Sequence, residues 1–336
     1  MTKNTILVVG SSNTDMIIKM ERLPQPGETI IGGEFASAAG GKGANQAVGA
    51  ARAGGAVTLV ARVGQDMFGD KAIAGFIADG INVDYVVRDR TSPSGGALIF
   101  VGQNGQNSIA VASGANARLT PADIRKAHSA LRGASVLLLQ LETPLPTVQA
   151  AAELAAAARV PVILNPAPAR TLPDRLLRQV YLLTPNESEA ELLTGVSVDS
   201  VDGAFKAAGA LLARGVRHVI ITMGARGALV AGPDLGQLIP AFKVKPVDTT
   251  GAGDVFNGAL ALGLAEGRSL LEAARFASAA AAISVTRMGA QTSAPTRKEI
   301  EQLLAAEHAP GRVRQKDRPK PRRAPRAIQP GKCPHF

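Results

Sequence analysis

A single cysteine, Cys333, excludes an intrachain disulfide and fits a reducing compartment. The four histidines, His128, His218, His308 and His335, are scattered without metal-ligand spacing, which argues against a zinc site. No uncharged run of about 18 or more apolar residues occurs, and the first residues enter an apolar stretch too short for a signal-peptide core. These absences set the expectation of a soluble, cytoplasmic chain without a membrane partner. Two phosphate-binding signatures are also lacking. Ala36 and Gly43 stand where a G-x-x-x-x-G-K-[ST] loop around Lys42 needs Gly and Ser or Thr. The first apolar run leads into Gly10-Ser11-Ser12-Asn13-Thr14-Asp15 rather than G-x-G-x-x-G, which disfavours a nicotinamide dehydrogenase.

Acidic residues are scarce in one region only. From residue 308 to 336 nine Lys or Arg face the single Asp317, whereas the rest of the chain holds 28 basic and 26 acidic groups, so the net charge of +10 describes an appendage. That Pro- and Arg-rich tail has almost no apolar residues to offset ordering entropy and is expected to be a disordered, solvated tether. Weak nucleic-acid binding is its alternative use. The whole chain is 46% hydrophobic and long enough for one large or two ordinary domains.

Short β-branched runs alternate with longer Ala- and Leu-rich stretches, the βαβ pattern of a parallel sheet covered on both faces. Candidate strands are 6–10, 57–63, 135–140, 160–165, 180–184 and 218–222; candidate helices are 43–53, 146–159, 187–194, 201–215, 252–266, 270–286 and 296–306. Two stretches break the series, 16–35 and 95–112, and read as extended segments and hairpins. They suit a small second sheet, acting as a lid or a dimer contact.

Asp248-Thr249-Thr250-Gly251-Ala252-Gly253-Asp254 opens a helical run. Two glycines around a small residue let the backbone turn tightly, and a helix start supplies unpaired N–H donors and about half a positive charge. A carboxylate beside such a phosphate hole can take the proton of an attacking alcohol, although Asp is also a favoured N-cap. Gly40 to Gln46 forms a second glycine-rich turn into a helix, with Lys42 and Asn45 as donors. Asn13 and Asp15 share one side of an extended segment, a fork for adjacent sugar hydroxyls. Glu142 and Asn186 would also fall at strand C-termini, where open α/β sheets gather ligands.

Taken together, the motifs identify a resemblance. Gly10 to Asp15, Gly40 to Gln46, Ala97 to Val101, Gln140 to Glu142, Asn165 to Arg170, Thr184 to Glu187, Asp248 to Asp254 and Val285 to Gln291 follow the order and spacing of the ribokinase-like (PfkB-type) carbohydrate kinases, across residues 5–306. The resemblance implies a three-layer α/β/α sandwich with a mainly parallel central sheet and a small β-sheet lid. Residues 1–307 would form the kinase domain, with lid segments near 14–36 and 95–112, and 308–336 the tail.

It also implies ATP-dependent phosphorylation of D-ribose at O5, with Mg²⁺. Fructose, deoxyribose or nucleoside kinases are alternatives within the family, and a non-catalytic sugar sensor is one outside it. Asn13, Asp15, Gly41, Lys42, Asn45 and Glu142 would contact the sugar, with Asp254 as general base and Gly251, Ala252 and Gly253 as the anion hole. Asn186 and Glu189 would lie near the nucleotide phosphates and Mg²⁺, Thr222, Gly224 and Gly227 would line the nucleotide pocket together with Gly253, and Ser278 would lie near the base. Ser278 departs from the His or Asn common there. Asp248, Thr250, Ser284, Arg287, Gly289 and Ser293 match the positions of a K⁺ site that orders the anion-hole loop. A homodimer through the lid completes the expectation.

Overall fold

Runs of Leu, Ile and Val without polar alternation need cover on both sides, and the tertiary structure supplies it. A computed structural model describes residues 4–104 and 106–308. Its strands are β1 (Thr5–Val9), β2 (Asn13–Met20), β3 (Glu34–Gly40), β4 (Ala56–Gly64), β5 (Asn82–Asp89), β6 (Gly95–Gly102), β7 (Asn107–Ala112), β8 (Val136–Leu139), β9 (Val162–Leu164), β10 (Leu182–Leu183), β11 (His218–Thr222), β12 (Ala228–Gly232) and β13 (Leu235–Ile239). Nine of them form one sheet in the order β13-β12-β11-β10-β9-β8-β1-β4-β5. The stretch from β11 to β5 is parallel throughout. β12 and β13 add an antiparallel hairpin at the β11 edge, outside the strands anticipated from the βαβ series. A two-residue connection cannot make a parallel crossover, so that hairpin must run antiparallel.

Successive residues of a strand point to opposite faces, and the two cores divide accordingly. Leu7, Val9, Leu137, Leu139, Val162 and Leu164 pack on one face, among residues of the helices Leu145–Ala157, Glu187–Thr194 and Val201–Ala213. Ile6, Val8, Val136, Leu138 and Ile163 pack on the other, against the helices Lys42–Arg52, Ala252–Ala265 and Leu270–Ser284. This gives three layers, helices on both sides of a mainly parallel sheet. The helices expected from composition lie within two residues of their observed ends, because Ala-rich segments are strong helix formers that also pack closely.

Close packing of two of these helices sets up the site. A Cβ on Gly258 would stand 2.5 Å from the Gln46 carbonyl oxygen and 2.7 Å from the Ala50 nitrogen. Glycine there lets the Ala252–Ala265 helix lie directly on Lys42–Arg52, bringing their N-terminal turns side by side.

The remaining four strands form a separate sheet, β3-β2-β6-β7, with β2 parallel to β6 and antiparallel pairs at both edges. β6 and β7 fall within the second irregular stretch, whereas β2 begins at Asn13, ahead of the first, and β3 continues past residue 36 to Gly40 and so runs straight into the second glycine turn. The basic tail after residue 308 lies outside the described residues.

Candidate active site

Three helix starts and the C-terminal ends of several central strands converge on one cavity of about 180 Å³. Among the anticipated residues it is lined by Lys42, Asn186, Glu189, Thr222, Gly251, Ala252, Gly253 and Asp254. Asn165, Thr184, Thr249 and Asn257 line it as well, and residue-type reasoning had given them no role.

Asp254 stands at the third position of its helix and is 6% exposed. Its Oδ2 accepts a hydrogen bond from Asn45 Nδ2 and its Oδ1 one from Gln46 Nε2, each 3.0 Å. Burial pushes this carboxyl above the usual carboxylate range; the Lys42 ammonium and the two amides pull it back, and Glu142 adds a further upward push. The Asp N-cap alternative does not hold, because Gly251 is the N-cap, in the left-handed region at φ 72°. A side chain at Gly251 would also run into Ala290, whose Cβ lies 2.7 Å from the position a Cβ would take. The helix ladder begins with Val255 N–H on the Gly251 carbonyl at 2.9 Å, and Ala252 N–H turns to the Thr249 carbonyl at 3.2 Å. Asn257 Nδ2 anchors the Gly253 carbonyl at 2.8 Å, and Asn257 Oδ1 accepts from Thr184 Oγ1 at 2.6 Å.

The sugar-side candidates cluster at the junction of the two sheets. Glu142 Oε2 accepts from the Lys42 backbone N–H at 2.8 Å and from Ser11 Oγ at 2.5 Å, binding the loop after β8 to the start of the Lys42–Arg52 helix. Gly41 is the N-cap of that helix and backs onto Ser12 and Asn13. Asn116, which residue-type reasoning passed over, fixes Asn13: its Nδ2 donates to Asn13 Oδ1 at 2.7 Å and to the Ser12 carbonyl at 3.0 Å. Asp15 lies on β2 of the small sheet, and burial, reinforced by the Glu142 charge, pushes its carboxyl up to about 6.

On the other side, Asn186 and Glu189 form a reciprocal cap. Asn186 Oδ1 accepts from Glu189 N–H and Glu189 Oε2 from Asn186 N–H, both at 2.8 Å. Burial raises the Glu189 carboxyl, with Asn186 and Lys42 opposing and Asp254 adding to the rise. Thr222 ends β11 beside Asn186, and Gly224 and Gly227 flank a 3₁₀ turn just beyond the cavity lining. Ser278 sits on the Leu270–Ser284 helix with its hydroxyl on the Ala274 carbonyl, away from the lining.

The candidate cation residues are only partly joined. Asp248 Oδ1 accepts from Thr250 N–H and Oγ1, and its Oδ2 accepts from Gly289 N–H at 2.8 Å. Burial would raise Asp248, but these bonds outweigh it and hold the carboxyl below its usual range. Val247 and Asp248 N–H both donate to the Val285 carbonyl, next to Ser284. The Arg287 side chain pairs with Glu299 and the Ser293 hydroxyl turns to the Ala290 carbonyl.

A glycine turn at a helix start, a buried carboxylate just inside that helix and a ring of amides make a site for phosphoryl transfer to an alcohol. The model of the pfkB family carbohydrate kinases matches residues 3–297. The chain belongs to the pfkB family. This pfkB kinase is 44% identical over 307 residues to a ribokinase of Haemophilus influenzae, across 91% of the chain and 100% of that protein. It is 40% identical over 301 residues to a deoxyribokinase of Salmonella typhi, across 89% of the chain and 98% of that protein. Among solved structures, an Arabidopsis thaliana ribokinase complexed with ribose and ATP aligns with a TM-score of 0.84 at 35% identity, covering 90% of this chain and 99% of that one. Four of the residues missed from sequence in this pfkB kinase, Gln46, Asn116, Asn165 and Asn257, are buried amides, each with at least one hydrogen-bond partner far away in the chain.

Proposed function

We propose that the protein transfers the γ-phosphoryl group of ATP to the O5 hydroxyl of D-ribose. The observation that carries this is the buried Asp254 carboxylate, held by two amides one residue beyond the glycine turn and in one cavity with Lys42. Asp254 takes the proton of O5–H as that oxygen attacks phosphorus and the bond to the departing ADP oxygen breaks. Burial raises the proton affinity of this carboxyl above that of an exposed carboxylate, the direction a base needs. The N–H groups at the start of the Ala252–Ala265 helix face the charge that builds on the phosphoryl oxygens, and the Lys42 ammonium neutralises part of it.

Asn13, Asp15, Gly41, Asn45 and Glu142 hold the sugar hydroxyls, with the Asn13 amide oriented by Asn116. Asn186, Glu189, Thr222, Gly224 and Gly227 take the nucleotide, and Ser278 flanks the base. The oxygen donors of Asn186 and Glu189 fit Mg²⁺, which supplies charge neutralisation across the phosphates when bound. Asp248, Thr250 and the backbone around Ser284, Arg287, Gly289 and Ser293 fit K⁺, since a single carboxylate among carbonyl and hydroxyl oxygens suits a hard monovalent ion. Such an ion would hold the 248–253 turn in place.

Residues 1–307 act as the kinase domain, with the small sheet closing over the sugar. Its exposed Phe35, Leu98, Ile109 and Val111 support a homodimer through that sheet. The enzyme works in the cytoplasm, and no described helix is long and apolar enough to cross a membrane.

The test is ADP release with Mg²⁺, with and without K⁺, across ribose, deoxyribose, fructose and nucleosides. Ribose should be turned over with the highest kcat/KM and yield ribose 5-phosphate; preference for deoxyribose would move the chain to the activity named for its Salmonella relative. Asp254→Asn should lower kcat by about two to four orders of magnitude.

A further inference from the structure

Gln46 is fully buried on the Lys42–Arg52 helix, and all the hydrogen-bonding capacity of its amide nitrogen is committed. Nε2 donates to Asp254 Oδ1 at 3.0 Å and to Asn165 Oδ1 at 3.1 Å, and Oε1 accepts from Gln140 Nε2 at 2.6 Å. The direction of these bonds is dictated from outside the amides. Asn165 Nδ2 donates to the backbone carbonyl of Thr184 at 3.1 Å, and a carbonyl can only accept. Asn165 must therefore present its oxygen to Gln46, Gln46 must present its nitrogen to Asp254, and the Gln46 oxygen must face the Gln140 nitrogen. Reversing the Gln46 amide would set its oxygen against two acceptors and its nitrogen against a donor.

We infer that Gln46 is a positioning residue for the reaction: its amide, oriented by the Thr184 carbonyl through Asn165, holds the Asp254 carboxylate in one rotamer with the second oxygen toward the sugar side. Asn45 secures that second oxygen and is itself secured by Gln291 Nε2 at 3.2 Å. The Thr184 hydroxyl meanwhile fixes the Gly253 carbonyl through Asn257, so the residue that follows β10 sets both the base and the phosphate turn. An amide bonded to the charged form of a carboxylate also favours that form, which opposes the burial of Asp254. The other charges acting on Asp254 are Lys42, which opposes burial, and Glu142, which reinforces it; the buried Glu189 is coupled to Asp254 in turn.

The inference rests on Asp254 as the base, and a double-mutant cycle separates the two ideas. kcat, both KM values, Tm and the pH dependence of kcat/KM are measured for the full chain, Gln46→Met, Gln46→Glu, Asp254→Asn and Gln46→Met with Asp254→Asn. Gln46→Met should lower kcat about ten- to a hundredfold, the loss expected for a hydrogen bond to a charged group, with each KM within about threefold. The acid limb of kcat/KM should move to higher pH in Gln46→Met and further in Gln46→Glu, which sets a second carboxylate against the first. In the Asp254→Asn background Gln46→Met should cost nothing more. Losses that multiply across the cycle, or an unmoved acid limb in either folded variant, would overturn the positioning role. A loss below tenfold in Asp254→Asn alone would instead remove the base reading on which it stands.

Discussion

The two sheets of this kinase are built from similar residues and live in opposite environments. β1, β8 and β9 of the central sheet are almost wholly buried, with Leu138 fully so. β7 of the small sheet is exposed along its whole length, and Phe35 and Ile109 stand 68% and 55% exposed. Register places Phe35 and Leu98 on one face of the small sheet and Ile109, Val111 and Asp15 on the other. The central sheet is thus a fixed platform for the helix that carries Asp254 and the glycine turn. The small sheet carries Asp15 within reach of the Glu142 charge and leaves apolar surface on both faces. Burial concentrates in the first, exposed apolar surface in the second.

Variants can break or sharpen that contrast. The largest effect is expected at the phosphate turn: Gly251→Ala forces a side chain onto Ala290 from a left-handed backbone and should cost about two to three orders of magnitude in kcat, checked by steady-state assay. Leu138→Ala should destabilise the chain by about 2–5 kcal/mol in chemical denaturation, whereas Ile109→Ala should cost under about 0.5 kcal/mol.

Asp15→Asn should show the opposite sign. The Asp15 carboxyl titrates at about 6 in the folded chain, above its ordinary value, so its stability contribution is intact below about pH 4 and is lost as pH rises through 6. Removing the charge should therefore raise Tm at pH 8, by the equivalent of about 1 kcal/mol once solvent screening of this part-exposed group is discounted, leave it unchanged at pH 4, and weaken sugar turnover. Ile109→Asp should leave Tm nearly unchanged and shift sedimentation equilibrium toward the monomer. An equal loss of stability from Ile109→Ala and Leu138→Ala would erase the distinction between the sheets.

The central sheet was readable because burial on both faces leaves a plain mark, uninterrupted apolar runs such as Leu137 to Leu139, and because the alanine-rich helices carry their own propensity. The hairpin of β12 and β13 was missed, since two five-residue strands at a sheet edge lie outside the βαβ rhythm. In the site, Asp254 and the glycine turn were legible as a local motif. Gln46 was not assigned a role, because consecutive residues of a helix point about 100° apart and nothing local suggests that Asn45 and Gln46 both reach one carboxylate. Asn186 and Glu189 carried a second, purely local meaning, the reciprocal helix cap, alongside their place on the cavity.

By itself the sequence determined the layers, the helix starts and the glycine turns, since each depends on backbone preferences and hydrophobic periods within a few neighbouring residues. Only the tertiary structure decided which amides meet Asp254 and how each is oriented. Those bonds join residues up to 209 positions apart, and the direction of the Gln46 bond descends through Asn165 from a backbone carbonyl at Thr184 that can accept but never donate.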